Sequence, residues 1–163
     1  MVFPAKNSVQ IGSSFINALA ANTRPISEGQ FGEAPLYAFT DEGVWVLMTN
    51  QEGTYDARQP ANRDICSNPK GILQIDDAVL FPTERGIMMQ RGRDSECITD
   101  VLDGYPFVFT QIFKNDYQKK LLALGGIPEY DTQYIRFGTF LQKASLIYDY
   151  YDNRIIVFRP DYT

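Results

Sequence analysis

The sequence predicts a mainly β protein built from repeated hairpins, propeller-like in their spacing, with one inserted α-helix near residues 114–124. Two segments are the main evidence: residues 36–47 (LYAFTDEGVWVL) and residues 79–90 (VLFPTERGIMMQ), which lie at an offset of 43 positions. Each has an apolar run, then Thr, an acidic residue, one further residue and Gly, and a second apolar run. Aromatic residues, which pack well across pleated strands, make up 13% of the chain.

Each of the two segments predicts a β-hairpin. Thr40 aligns with Thr83, and Gly43 aligns with Gly86. Each glycine stands at the exit of a tight turn, where a positive φ suits glycine because it has no Cβ atom to clash. We therefore predict positive φ at both glycines. A period of about 40–45 residues is that of a four-stranded propeller blade, so the repeat favours blade-like units.

A third hairpin is predicted at residues 145–158 (SLIYDYYDNRIIVF), with an Asp-Asn turn at positions 152–153. Its distance from the second hairpin exceeds one period, which leaves room for an insertion. Residues 114–124 (KNDYQKKLLAL) predict a helix, because Asn115 can cap its start and Gly125-Gly126 can stop it. A further helical turn is predicted at residues 137–143.

The remaining segments predict weaker structure. Residues 9–22 alternate enough for one or two strands. Residues 53–76 carry two prolines and are expected to be mostly loop, with a strand at residues 71–75.

The length of 163 residues suits a single β-rich domain covering residues 1–163. Within it we expect blade-like units at about 9–50, 51–100 and 101–163, the last containing a helical insert at 105–143. A propeller ring usually needs about four blades or more. We therefore expect the chain to be a fragment of a longer protein.

Composition narrows the classes of function. The net charge of −5 argues against a nucleic-acid surface, which needs an excess of Lys and Arg. No apolar run approaches the ~20 residues of a membrane-spanning helix, so we expect no membrane partner. The chain has no histidine, which removes the commonest general base and the commonest metal ligand. We expect no cofactor and no catalytic residues.

Two cysteines, Cys66 and Cys97, are too few for a disulfide framework. We expect free, buried and inert thiols. A single bridge between them remains an open alternative.

Acidic clusters offer two weak candidates for chemistry. Asp76 and Asp77, with Glu84, would suit a hard cation, but a Ca²⁺ loop needs more oxygen ligands at fixed spacing, so a solvated turn is favoured.

Asp149 and Asp152, near Asp161, suggest a carboxylate pair of the glycosidase type. The alternative is that both are ordinary turn residues of the third hairpin, and this interpretation is favoured.

Three further features are open to a structural or a functional interpretation. Arg63 and Asp64 lie in a loop that a partly buried ion pair would hold in place. The tyrosines at positions 148, 150 and 151 could stack on sugar rings or pack across strands. Trp45 is expected in the core rather than in a binding platform.

The most distinctive motif is Q-P-x-x-R-D-x-C, formed by Gln59, Pro60, Arg63, Asp64 and Cys66. With this motif and the three hairpins, the chain resembles a family of long, mostly uncharacterised proteins of tailed phages and prophages of gut Bacteroidetes. More distantly, it is similar to phage stabilisation or tail-accessory proteins, which plug the portal and build on propeller-like β-domains. The resemblance covers residues 1–100 and 140–160, and the insert at 105–135 departs from it.

This resemblance implies a non-enzymatic structural role in a virion assembled in the bacterial cytoplasm. Its partners would be other virion proteins or further copies of the chain. Two alternatives remain at this stage: a carbohydrate-binding propeller segment and, less favoured, a glycoside hydrolase.

Overall fold

The computed structural model describes residues 8–13, 15–25, 34–49, 54–59, 63–102, 106–110 and 132–160. Within these ranges the protein is mainly β, with antiparallel sheets and one short α-helix. The helix predicted at residues 114–124 lies outside the described residues. In the described part of the chain, no helix is long and apolar enough to cross a membrane.

The first unit is a four-stranded antiparallel sheet in the order β1-β2-β3-β4. Its strands are β1 (Ile16–Ala21), β2 (Leu36–Thr40), β3 (Gly43–Thr49) and β4 (Tyr55–Arg58). The sequence predicted a loop where β4 lies, because YDAR has no apolar alternation and the strand forms only by pairing with β3. The first sheet therefore extends beyond the boundary predicted near residue 50.

The second unit repeats this architecture, in the order β5-β6-β7-β8. Its strands are β5 (Leu73–Ile75), β6 (Ala78–Pro82), β7 (Ile87–Arg91) and β8 (Asp94–Cys97). Short 3₁₀ helices precede and follow it, at Pro69–Gly71 and Asp100–Leu102.

The two predicted hairpins occupy the same place in their sheets. Phe39 pairs with Val44 in the first, and Pro82 pairs with Ile87 in the second, 43 positions further along. Each hairpin supplies the two central strands of a four-stranded sheet. Register and strand order are therefore equivalent, as the repeat predicted.

The third unit is smaller in the described residues. β9 (Pro106–Thr110) pairs with β10 (Thr132–Arg136), and β11 (Ser145–Asp149) pairs with β12 (Arg154–Phe158). Helix α1 (Phe137–Leu141) lies between the two pairs and confirms the predicted helical turn. The β11–β12 hairpin confirms the third predicted hairpin, and Asn153 takes a positive φ of 51° in its turn.

The units stack face to face, in chain order. We call the face of a unit that is turned toward the next unit its front face, and the opposite face its back face. In the third unit, the front face is the one that points away from the second sheet. A first core lies between the front face of the first sheet and the back face of the second. There the ring of Phe39 meets that of Phe81 edge to face, with centroids 5.1 Å apart. The buried residues of this core are Ala20, Tyr37, Phe39, Val44, Val46, Val79, Phe81 and Met88.

A second core lies between the front face of the second sheet and the third unit. Leu80 and Ile87 contribute from the second sheet, and the remaining buried residues are Phe137, Phe140, Leu141, Ala144 and Leu146. The second sheet is thus covered on both faces, which explains why every residue of β6 is buried and why its sequence, AVLFP, is a continuous apolar run. The described residues contain no closed ring or barrel of sheets.

Candidate functional site

The loop that follows β4 carries the Q-P-x-x-R-D-x-C motif and touches the turns of both equivalent hairpins. Gln59 Nε2 donates a hydrogen bond of 2.8 Å to the backbone oxygen of Glu42 in the first turn. Ser67 N donates a bond of 2.9 Å to the backbone oxygen of Pro82, just before the second turn. The loop therefore connects the first unit to the second at the turn end of the sheets. Pro60 lies outside the described residues.

Gly43 has a φ of +122°, in the range that favours glycine, as predicted. It also permits a close approach of the loop, because a Cβ atom at this position would lie 3.3 Å from the Cα atom of Arg63. Gly43 thus serves both the hairpin turn and the contact with the motif loop.

Gly86 has a φ of +152°, also as predicted, and its α-carbon is covered by the side chains of Cys97 and Thr99. Thr83 holds this turn: its backbone N donates to the oxygen of Gly86 at 2.7 Å, and its hydroxyl donates to the same oxygen at 2.9 Å. Thr40 makes the matching hydroxyl bond to the oxygen of Gly43, at 3.0 Å. A threonine at the equivalent position of each hairpin therefore closes each turn with the same side-chain hydrogen bond.

Asp64 forms an ion pair with Arg85 in the second turn, with 3.6 Å between Oδ2 and Nη1. The prediction of a partly buried pair within the loop is corrected here. The carboxylate is mostly buried, but the pair that the structure shows reaches across to the next unit, and Arg63 is exposed. Because the arginine is largely in solvent, the pair contributes little to stability. Its main effect is to position the motif loop against the second turn.

An open groove of about 350 Å³ lies where the motif loop meets the second turn. It is lined by residues of both charge signs and by hydroxyl groups: Arg63, Asp64, Ile65, Ser67, Thr83, Glu84 and Arg85. Small-molecule pockets are typically concave and mostly apolar, with a few converging polar groups. This groove is open rather than enclosed, and its lining combines charged side chains with the apolar side chain of Ile65.

Cys66, the last residue of the motif, packs against the first core. Burial raises the pKa of its thiol from 9.0 to about 11, and a hydrogen bond from the backbone of Asn68 only partly opposes this. Cys66 and Cys97 are both free thiols. The raised pKa keeps Cys66 protonated near neutral pH, and so unreactive.

Two residues that hold the third unit in place were missed in the sequence. The side chain of Asn68 donates to the backbone oxygens of Leu141, at 3.3 Å, and Ala144, at 2.7 Å. Gly138 in α1 packs against the second turn so closely that a Cβ atom would overlap the backbone oxygen of Glu84. An Asn before Pro69 indicates a helix cap, and it does accept a bond from Lys70 N, but nothing local indicates the distant partners.

Two of the three acidic residues considered for a cation, Asp76 and Asp77, form ion pairs. Asp76 pairs with Arg24 at 3.5 Å, and Asp77 pairs with Arg91 at 2.9 Å. Within the described ranges, no group of three or more His, Cys, Asp or Glu side chains could hold a metal ion. The solvated-turn interpretation fits these contacts.

The carboxylates considered for hydrolysis share one partner. Asp149 lies 3.1 Å from Arg154 Nε, and Asp152 lies 2.6 Å from Arg154 Nη2. Asp149 also accepts a bond of 3.0 Å from the backbone N of Tyr151, so it organises the hairpin turn. Asp161 lies outside the described residues.

Two of the three tyrosines of the third hairpin, Tyr150 and Tyr151, are mainly exposed to solvent. Tyr148 and Tyr150 meet edge to face with ring centroids 4.7 Å apart, and the Tyr148 hydroxyl donates to Asn153. Tyr151 is 97% exposed. Trp45, expected in the core, is half-buried on the back face of the first sheet, beside Gly12.

Comparison of the chain with protein-family models, with curated proteins and with solved structures gives no match. The function of the molecule is therefore inferred from its own surfaces and from the resemblance described above.

Proposed function

We propose that this chain is a non-enzymatic structural module that binds other protein chains in a phage virion, as a tail or portal-proximal stabilisation protein. One observation carries the binding role: the front face of the β11–β12 hairpin presents three apolar side chains to solvent, beside the ion pair of Asp149 with Arg154. Ile147 is 48% exposed, Ile156 is 41% exposed and Phe158 is 42% exposed.

These three side chains form one surface. Ile147 pairs directly with Ile156 across the two strands, and Phe158 follows two positions later, so all three point to the same side. The opposite side of the same hairpin, with Leu146, Ile155 and Val157, packs against the second core. Contiguous exposed apolar surface typically marks a site of protein interaction.

We further propose that the three units are blade-like, as in a propeller. The equal register of the first two hairpins, their equal strand order and the front-to-back stacking of all three units support this proposal. A four-stranded sheet that packs against the next sheet in chain order is the repeating element of that architecture.

The assignment to a virion, assembled in the bacterial cytoplasm, rests on the resemblance. Its partners there are other virion proteins or further copies of the chain, and the role requires no cofactor. The motif residues fit a structural role, because Gln59 and Asp64 make contacts that join the first unit to the second.

The test is to purify particles of a phage or prophage that encodes this chain and to probe them with an antibody against it. We expect the chain in the particle fraction. Its absence from particles, with presence in the soluble lysate, would contradict the proposal. Turnover of a simple glycoside that is abolished by Asp149→Asn would instead favour the hydrolase.

A carbohydrate-binding segment is a second candidate, favoured by the exposure of Tyr151 at the tip of the third hairpin. An exposed tyrosine ring offers a flat apolar face for stacking on a sugar ring. Binding to a glycan array that Tyr151→Ala removes, while Tyr55→Ala at an exposed tyrosine of β4 leaves it intact, would support this candidate.

A further inference from the structure

We propose that a second copy of this chain docks its first sheet, by the back face, onto the front face of the β11–β12 hairpin. The proposal deepens the proposed function by naming the partner, and it rests on the protein-binding role argued above. It concerns the two ends of the stack of units.

The two apolar contacts between units that the described residues form have the same polarity. The front face of the first sheet packs on the back face of the second, and the front face of the second packs on the back face of the third. Both contacts are apolar. The open front face of the third unit, with Ile147, Ile156 and Phe158, has no partner among the described residues, and it is one half of a contact that the chain makes twice.

The other half of that contact is present at the opposite end of the molecule. On the back face of the first sheet, Ile16 pairs with Thr40, and Leu19 pairs with Ala38. Ile16 is 49% exposed and Leu19 is 56% exposed, so this face also presents apolar side chains to solvent.

An apolar band continues from these residues across the back face. Two rows of paired residues cross the sheet, one made of Leu19, Ala38 and Trp45, the other of Ala21, Leu36, Leu47 and Ala57. The middle of the band is buried and its β1 side is open. The β1 side of the first sheet is therefore the surface available to a second copy.

Front-to-back docking between two copies can close into a ring, which would stop further growth. Two copies that dock at both ends bring together two sets of three units, and the resulting six units fall within the range of about four to eight blades that propellers use. A contact between unlike surfaces closes into a ring when its rotation permits, and otherwise grows into an open filament. We therefore expect a closed dimer.

The test is sedimentation velocity of the full chain over a range of concentrations. Ile156→Lys places a charge on the front face of the third unit, and Leu19→Lys places one on the back face of the first sheet. Val101→Lys places the same charge at an exposed apolar residue outside both faces. We expect the parent chain and Val101→Lys to form dimers, and Ile156→Lys and Leu19→Lys each to be monomeric. Circular dichroism checks that every variant is folded.

Mixing the two damaged variants tests the polarity of the contact. A mixture of Ile156→Lys and Leu19→Lys retains one intact front face and one intact back face, so we expect it to regain association as an open dimer. Dimers that Ile156→Lys abolishes and Leu19→Lys leaves intact would overturn the proposal in favour of front-to-front pairing. A parent chain that stays monomeric, yet is found in purified particles, would overturn this proposal while the proposed function stands.

Discussion

The positive φ of Gly43 and Gly86 can be predicted from the sequence of the turns. Their positive φ follows from the pattern of Thr, acid, any residue and Gly, because a tight turn between antiparallel strands needs such a residue. The residues that contact these glycines in space cannot be predicted from this pattern. The approach of Arg63 to Gly43, and of Thr99 to Gly86, depends on loops that return from elsewhere in the chain.

Replacing either glycine by alanine tests both the positive φ and the close contact at that position. We expect Gly43→Ala to lower the free energy of unfolding by about 1 kcal/mol or more, because alanine is strained at this φ. Gly86→Ala should cost more than Gly43→Ala, since its Cβ atom would also overlap the Thr99 side chain. Urea unfolding measures both. Equal stability of the parent chain and both variants would contradict the turn geometry.

Cys66 gives a prediction of pH dependence. Its pKa of about 11 in the folded protein lies above the ordinary value near 9, so the folded state holds this proton more tightly than the unfolded state. The resulting stability is fully present below about pH 9 and is lost as the pH rises toward about 11. Burial also raises the pKa of Tyr37, against a hydrogen bond from Gly92 N, and this acts in the same direction.

We therefore expect the melting temperature to fall as the pH rises above about 9. In Cys66→Ala the fall should be shallower than in the parent chain. Thermal unfolding at a series of alkaline pH values measures this. A parent chain and a Cys66→Ala variant with parallel profiles would show that the thiol does not contribute.

At the scale of elements, the hairpins were predictable and their neighbours were not. A hairpin is local: its turn residues and apolar strands adjoin in sequence, so the pattern specifies it. β4 and β8 have polar sequences, YDAR and DSEC, and form because a preceding apolar strand offers an edge to pair with. Strand propensity is weak against such tertiary context.

The contacts between units were beyond the sequence for the same reason. Asn68 binds backbone oxygens 73 and 76 positions away, and Gly138 meets Glu84, 54 positions before it. Asp64 and Arg85 also belong to different units. Only the folded stack brings these residues together, so residue spacing carries no signal for them.

The Asn68 clamp tests the junction between the second and third units. We expect Asn68→Ala to lower the free energy of unfolding by about 1–3 kcal/mol, because it leaves the buried backbone oxygen of Ala144 without the amide donor of Asn68. Asn17→Ala is the matched control: it removes an exposed bond of 2.7 Å to Asp41 and should have little effect. If the two variants lose equal stability in urea unfolding, Asn68 does not hold the third unit.

At the scale of the whole molecule, the stack of units has a direction. The second sheet and the third unit each bury their back face on the unit before them, and the last described hairpin presents apolar side chains on a front face that has no partner among the described residues. In addition, β12 pairs only with β11 in the described part, and an unpaired strand edge attracts further strands. Both features support the proposed association with other chains.

The most direct test of this claim is incorporation into virions. Phage particles are produced with the chain carrying either Ile156→Lys on the front face or Val101→Lys outside it, and the chain is quantified by immunoblot relative to the major capsid protein. We predict that Val101→Lys is incorporated like the parent chain and that Ile156→Lys is lost from particles although it folds and accumulates in the cell. Equal incorporation of both variants would contradict the claim that this face carries the function.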